Sequence, residues 1–166
     1  MHRYLISGLA LVLTACASYG GRGLEPGRSV ESDVRAVMGV SYADHPAEPG
    51  QPFTHSLEYP RGPAGRHTYM ARIDAAGTLV RIDQVIDEQF LKQIKPGVST
   101  RDDVRRVLGR PGFVAGPHRL RGESWDYYGL DFQTRIILTV SFDANGVVYS
   151  AAKGVDPAEY GRGRRR

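Results

Sequence analysis

Cysteine is nearly missing from this 166-residue chain. There is one, Cys16, so neither an intramolecular disulfide nor a cysteine-based zinc site can be built. Long apolar stretches are missing too. The longest, from Leu5 to Thr14, runs for about ten residues, half of what a bilayer-spanning helix requires. No Gly-x-Ser-x-Gly, glycine-rich phosphate loop or His-Glu-x-x-His occurs. His45, His55, His67 and His118 show no i, i+4 spacing of metal ligands. The expectations are therefore no catalytic residue, no metal, no cofactor and no enzymatic activity. Excess charge of one sign is also absent from the body. The chain is +4 overall, but without Arg3 and the four tail arginines it holds 17 basic against 18 acidic residues. A near-neutral body argues against nucleic acid as a partner.

The two ends are distinctive. His2-Arg3 and the apolar run lead into Leu13-Thr14-Ala15-Cys16. Small residues before a cysteine at this depth form a lipobox pattern, so residues 1–15 read as a lipoprotein signal peptide and Cys16 as the lipidated residue. Ala17, rather than Asp, follows the cysteine, which favours the outer over the inner membrane. Residues 16–25, with glycine at positions 20, 21 and 23, read as a flexible tether. Residues 156–166 read as a disordered basic tail, in which Arg162 to Arg166 could meet anionic lipid.

Between the ends, one phrase is written twice. Pro26-Gly27-x-Ser29 to Gly39 returns as Pro96-Gly97-x-Ser99 to Gly109, with eight of fourteen positions identical at an offset of 70. A fixed-period repeat fixes architecture before individual residues are considered. Each copy predicts a helix: a Pro-Gly turn, Ser29 or Ser99 as N-cap, an apolar stripe, and a glycine stop. Val34, Val37 and Met38 form the first stripe; Val104, Val107 and Leu108 form the second. Asp102 resembles the acidic partner of a capping box. Residues 43–52 read as a loop, and Asp87 to Ile94 as a short extra helix. Three strands follow each main helix: 53–59, 66–74 and 79–85, then 123–129, 135–143 and 147–153. Asp74-Ala-Ala-Gly77 and Asp143-Ala-Asn-Gly146 are the matching hairpin turns. The expected fold class is α+β: two tandem modules at 26–85 and 86–155, each a helix and a three-stranded antiparallel meander.

Among the aromatics, alternation puts Trp125 and Tyr127 on one face of their strand and Tyr128 on the other. Trp125 and Tyr127 are therefore expected in the core. Tyr128 and Phe132 are the candidates for contact with a partner.

The second module resembles the BamE (SmpA/OmlA) family of outer-membrane assembly lipoproteins. The resemblance rests on Ile94-Lys95-Pro96-Gly97-Val98-Ser99, Val104-x-x-Val107-Leu108-Gly109-x-Pro111, Ser124-Trp125-x-Tyr127-Tyr128 and Leu138-Thr139-Val140-x-Phe142. It implies helices packed on a three-stranded antiparallel sheet, and a non-enzymatic role in β-barrel assembly or envelope integrity. The implied site is the periplasmic face of the outer membrane, among other envelope lipoproteins or barrel-assembly components. A family member usually has one module. Doubling resembles the tandem helix–sheet build of the β-lactamase-inhibitory protein, and suggests the alternative of a binding protein or inhibitor for a periplasmic enzyme. The loop 129–134 is shorter than the family's partner-contacting loop.

Overall fold

The computed structural model describes residues 19–62, 66–116 and 122–160. The signal peptide, Cys16 and the Arg162–Arg166 tail lie outside them. The chain forms α1 (Glu31–Met38), β1 (Ala43–Pro46), β2 (His55–Arg61), β3 (His67–Ile73) and β4 (Leu79–Gln84). It continues as α2 (Glu88–Leu91), α3 (Arg101–Leu108), β5 (Phe113–Ala115), β6 (Ser124–Asp131), β7 (Thr134–Phe142), β8 (Val148–Val155) and α4 (Pro157–Tyr160). Each half holds a four-stranded antiparallel sheet, ordered β1-β2-β3-β4 and β5-β6-β7-β8. The expected three-stranded meanders are thus extended by one short strand each. Residues 43–46, expected in a loop, pair with 55–58, and 113–115 pair with 124–126. The segment expected as a disordered tail begins with the single helical turn of α4.

The two halves repeat one arrangement bond for bond. In the first, Gly27 N–H donates to Leu79 O (2.8 Å) and Leu79 N–H to Ser29 O (2.8 Å). In the second, Gly97 N–H donates to Val148 O (2.7 Å) and Val148 N–H to Ser99 O (2.8 Å). Asp74 Oδ1 accepts from Ala76 and Thr78 amides, as Asp143 Oδ1 does from Asn145 and Val147. Both helices end at a glycine of positive φ, Gly39 at 86° and Gly109 at 76°, a region costly for any residue with a Cβ.

The caps fall one residue later than expected. Ser29 and Ser99 cap no helix: their hydroxyls accept from Glu25 N–H and Lys95 N–H (both 2.9 Å), closing the turn before it. The N-cap positions are Val30 and Thr100. The acidic member of the box is Asp103, not Asp102: its Oδ2 accepts from Thr100 N–H at 2.7 Å, and Asp33 does the same for Val30 at 2.9 Å. Thr100 Oγ1 also accepts from Asp103 N–H, which Val30 cannot match. The short helix is one turn, Glu88–Leu91, capped by Asp87 Oδ1 accepting from Gln89 N–H at 2.9 Å. Phe90, Leu91 and Ile94 are nonetheless buried together in the second core.

Strand register and burial order the layers. On sheet one, Leu57, Tyr59, Ala71 and Ile73 share one face with α1's Val34 and Met38. The opposite face carries Ser56, Glu58, Thr68, Met70 and Arg72, and it too is buried. It lies against α2 and α3, and Met70 belongs to the second half's core. On sheet two, Trp125, Tyr127, Leu138, Val140, Phe142 and Val148 pack on the other side of the same helices. Trp125 and Tyr127 are thus core residues, as alternation predicted. The Trp125 ring sits edge-on to Phe142 at 4.7 Å, under the Arg105 guanidinium at 4.7 Å. Tyr127 donates its hydroxyl to Gly109 O at 3.1 Å, and burial pushes its pKa far above the ordinary phenol value.

The tether reading fails from Tyr19 onward. The Tyr19 hydroxyl lies 3.2 Å from His67 Nδ1, and its ring meets those of His67 and Tyr69 edge-on at 5.7 and 6.2 Å. Gly20 passes so close to Tyr69 that a Cβ would sit 3.3 Å from the ring; at Gly21 a Cβ would fall 2.5 Å from Ile82 Cδ1. Leu24 packs against the first core. These glycines permit close approach rather than freedom.

Candidate interaction surfaces

Two regions could engage a partner: the seam between the halves, and the exposed end of sheet two. The seam begins at Glu58 in the middle of β2. Its side chain is 1% exposed, yet satisfied on both oxygens. His45 Nε2 donates to Oε2 at 2.7 Å, and the Arg110 backbone N–H donates to Oε1 at 2.7 Å. Buried carboxylates persist only with such partners. Gly109 makes the approach possible, since a Cβ there would come within 2.8 Å of Glu58 and 3.0 Å of Met70. Alongside, the Arg110 guanidinium lies over the Tyr42 ring at 4.9 Å.

Beside this contact runs a groove of about 340 Å³ between sheet one and helices α2 and α3. Phe53 sits near its mouth with two guanidinium groups over its ring, Arg72 at 5.0 Å and Arg81 at 5.6 Å. Both arginines share Asp83, at 3.3 and 2.8 Å, and Arg72 also donates to Ser56 Oγ at 2.6 Å. Burial draws the Arg72 pKa below its ordinary value, with Asp83 opposing. Across the groove, Arg106 pairs with Asp103 and reaches Glu48 at 3.2 Å. Asp103 is itself held below the usual carboxylate range: burial works against this, but the Thr100 amide and hydroxyl and the Arg106 guanidinium outweigh it. The charged groups here are largely committed to one another. Among the described residues, no three His, Cys, Asp or Glu side chains converge to hold a metal.

Sheet two keeps one face toward solvent. Ser124, Asp126, Tyr128, Ile137, Thr139 and Ser141 lie on it, half-buried. Thr139 Oγ1 donates to Asp126 Oδ1 at 2.7 Å, and the Ser124 and Ser141 hydroxyls are hydrogen-bonded at 2.9 Å. The Arg66 guanidinium, from the first half, lies 5.9 Å from the Tyr128 ring centre and 3.7 Å from Asp156. Tyr128 is therefore partly covered. Phe132 is not: it is 99% exposed at the β6–β7 hairpin tip, with φ of 53°. Asp131 pairs with Thr134, so Phe132 and Gln133 form a two-residue turn, a place that ordinarily takes Asn, Asp or Gly. Phenylalanine here violates both turn chemistry and surface composition, and sequence alone gave only its exposure.

Residues 84–152 match the family model for the outer membrane protein assembly factor BamE domain. No curated protein matches the chain, and no solved structure does.

Proposed function

We propose that the chain, whose residues 84–152 match the BamE domain model, acts as a non-enzymatic outer-membrane lipoprotein in β-barrel protein assembly. It would be anchored through Cys16, face the periplasm, and work by contact with other barrel-assembly components. The family domain carries the reading. The lipobox and the absence of a recognised catalytic motif agree with it. Phe132 is the proposed anchor for a protein partner, with Tyr128 beside it. A fully exposed aromatic on a strained turn is costly unless something covers it. The first half reads as a diverged copy of the same module, since it repeats the second half's turn, box and strand-closing bonds in register. Arg162 to Arg166 supply positive charge for anionic headgroups.

The alternative of an enzyme inhibitor calls for a binding face built from both sheets. The second face of sheet one is occupied by the seam, so that reading has less support. The test is crosslinking in intact cells from a photoreactive residue at position 132, with adducts identified by mass spectrometry. Adducts with barrel-assembly proteins are expected; adducts confined to unrelated soluble proteins would overturn the proposal.

A further inference from the structure

The segment after the lipid site is too well built to be a spacer. Tyr19, Gly20, Gly21 and Leu24 lay the chain over sheet one, from the start of β3 toward the first core, and Gly62 is also close: a Cβ there would meet the Tyr19 hydroxyl at 3.0 Å. We infer that residues 19–24 are a docked strap that holds the β2–β3 end of the body against the bilayer surface at short, fixed range. The inference rests on lipidation of Cys16, and its test separates the two.

The argument is one of reach. Three peptide units separate Cys16 from Tyr19, at most about 11 Å when fully extended. Were the chain loose as far as Gly27, eleven units could extend to about 40 Å, and a flexible coil of that length would average about 18 Å. Docking removes most of that freedom. It also selects which end faces the lipid. Around the emergence point stand Tyr19 (51% exposed) and exposed Arg22, with half-buried His67, hydrogen-bonded to Tyr19, and half-buried Arg61, which donates to Met38 O. Aromatic and basic side chains together are what the headgroup region accommodates. The β3–β4 turn at Ala75, across the seven-residue strand β3, then points away from the bilayer.

The experiment uses the full lipoprotein in vesicles of phosphatidylethanolamine and phosphatidylglycerol. With Cys16 lipidated, Ala75→Cys provides the one free thiol for a donor dye, and an acceptor is placed in the bilayer. Mass spectrometry of the N-terminal peptide decides lipidation independently. A narrow donor–bilayer distance distribution is expected. Ten Gly-Ser residues inserted after Ser18 should lengthen and broaden it while leaving contacts between the Gly20 α-protons and the Tyr69 ring intact by NMR. Gly21→Val should broaden the distribution and abolish those contacts; if it unfolds the body, the insertion alone carries the test. A broad distribution in the parent protein, or one the insertion leaves unchanged, overturns the fixed stand-off. Absence of the Gly20–Tyr69 contacts in the parent overturns docking.

Discussion

Sheet one and sheet two share strand order, hairpin turns and a leading helix, yet they live in different surroundings. Sheet two is covered on one face, and β7 alternates strictly between buried and half-exposed residues. Sheet one is covered on both, and in β2 four successive residues, Ser56 to Tyr59, are buried. Its second face is not apolar. It carries Ser56, Glu58 and Arg72, each held by hydrogen bonds. A face suited to solvent in one module has become a polar seam in the other, which specifies position through bond geometry rather than through apolar area.

The contrast can be broken at its strongest points first. Trp125→Ala removes the largest side chain of the one-sided core and should cost about 3–5 kcal/mol in urea-induced unfolding. Glu58→Ala strips the seam of its acceptor and should cost about 2 kcal/mol, because the Arg110 amide and the His45 ring both lose their partner; Glu58→Gln, which keeps an oxygen there, should cost about 1 kcal/mol. If the two variants are equally stable, the seam does not depend on that bond. The caps offer a finer comparison. Thr100→Ala should lose about 1 kcal/mol, whereas Val30→Thr, giving the first helix the cap of the second, should gain several tenths, both read by thermal melting. Phe132→Asn should raise stability by about 0.5 kcal/mol, since Asn tolerates the left-handed backbone, while weakening any partner contact made there. The smallest effect is with pH. Asp103 is depressed from 3.8 in the folded state, so its contribution is present above that value and lost as acidification passes through the lower folded one. Asp103→Asn should flatten the stability curve below about pH 4.

The second half was the more legible in sequence, and the reason is physical. Period-two patterning survives where one face meets water, so β6 and β7 declared themselves through Trp125, Tyr127, Ile136 and Leu138. It blurs where both faces are covered, as in β2. The added strands β1 and β5 carry no legible pattern, because they are four and three residues long and Pro46 ends one of them. The caps lie one residue past the serines because a serine in a Pro-Gly-x-Ser turn offers its hydroxyl to the amide four residues before it. Glycine composition misled most: Gly20 and Gly21 suggest a loose chain, and only the positions of Tyr69 and Ile82 reveal why a side chain is forbidden there. Phe132 was readable as exposed, but its backbone strain was not. The seam left no sequence signal, since Glu58 and the Arg110 amide lie 52 residues apart.

That separation sets an order of events. If the chain is delivered N-terminus first, all of sheet one has emerged while the amide Glu58 needs is still unmade or untranslocated. Until Arg110 arrives, a buried-to-be carboxylate must stay hydrated, and the face around it must stay open. The first module is therefore finished by the second, whose helices α2 and α3 and the Arg110 amide just beyond them close that face.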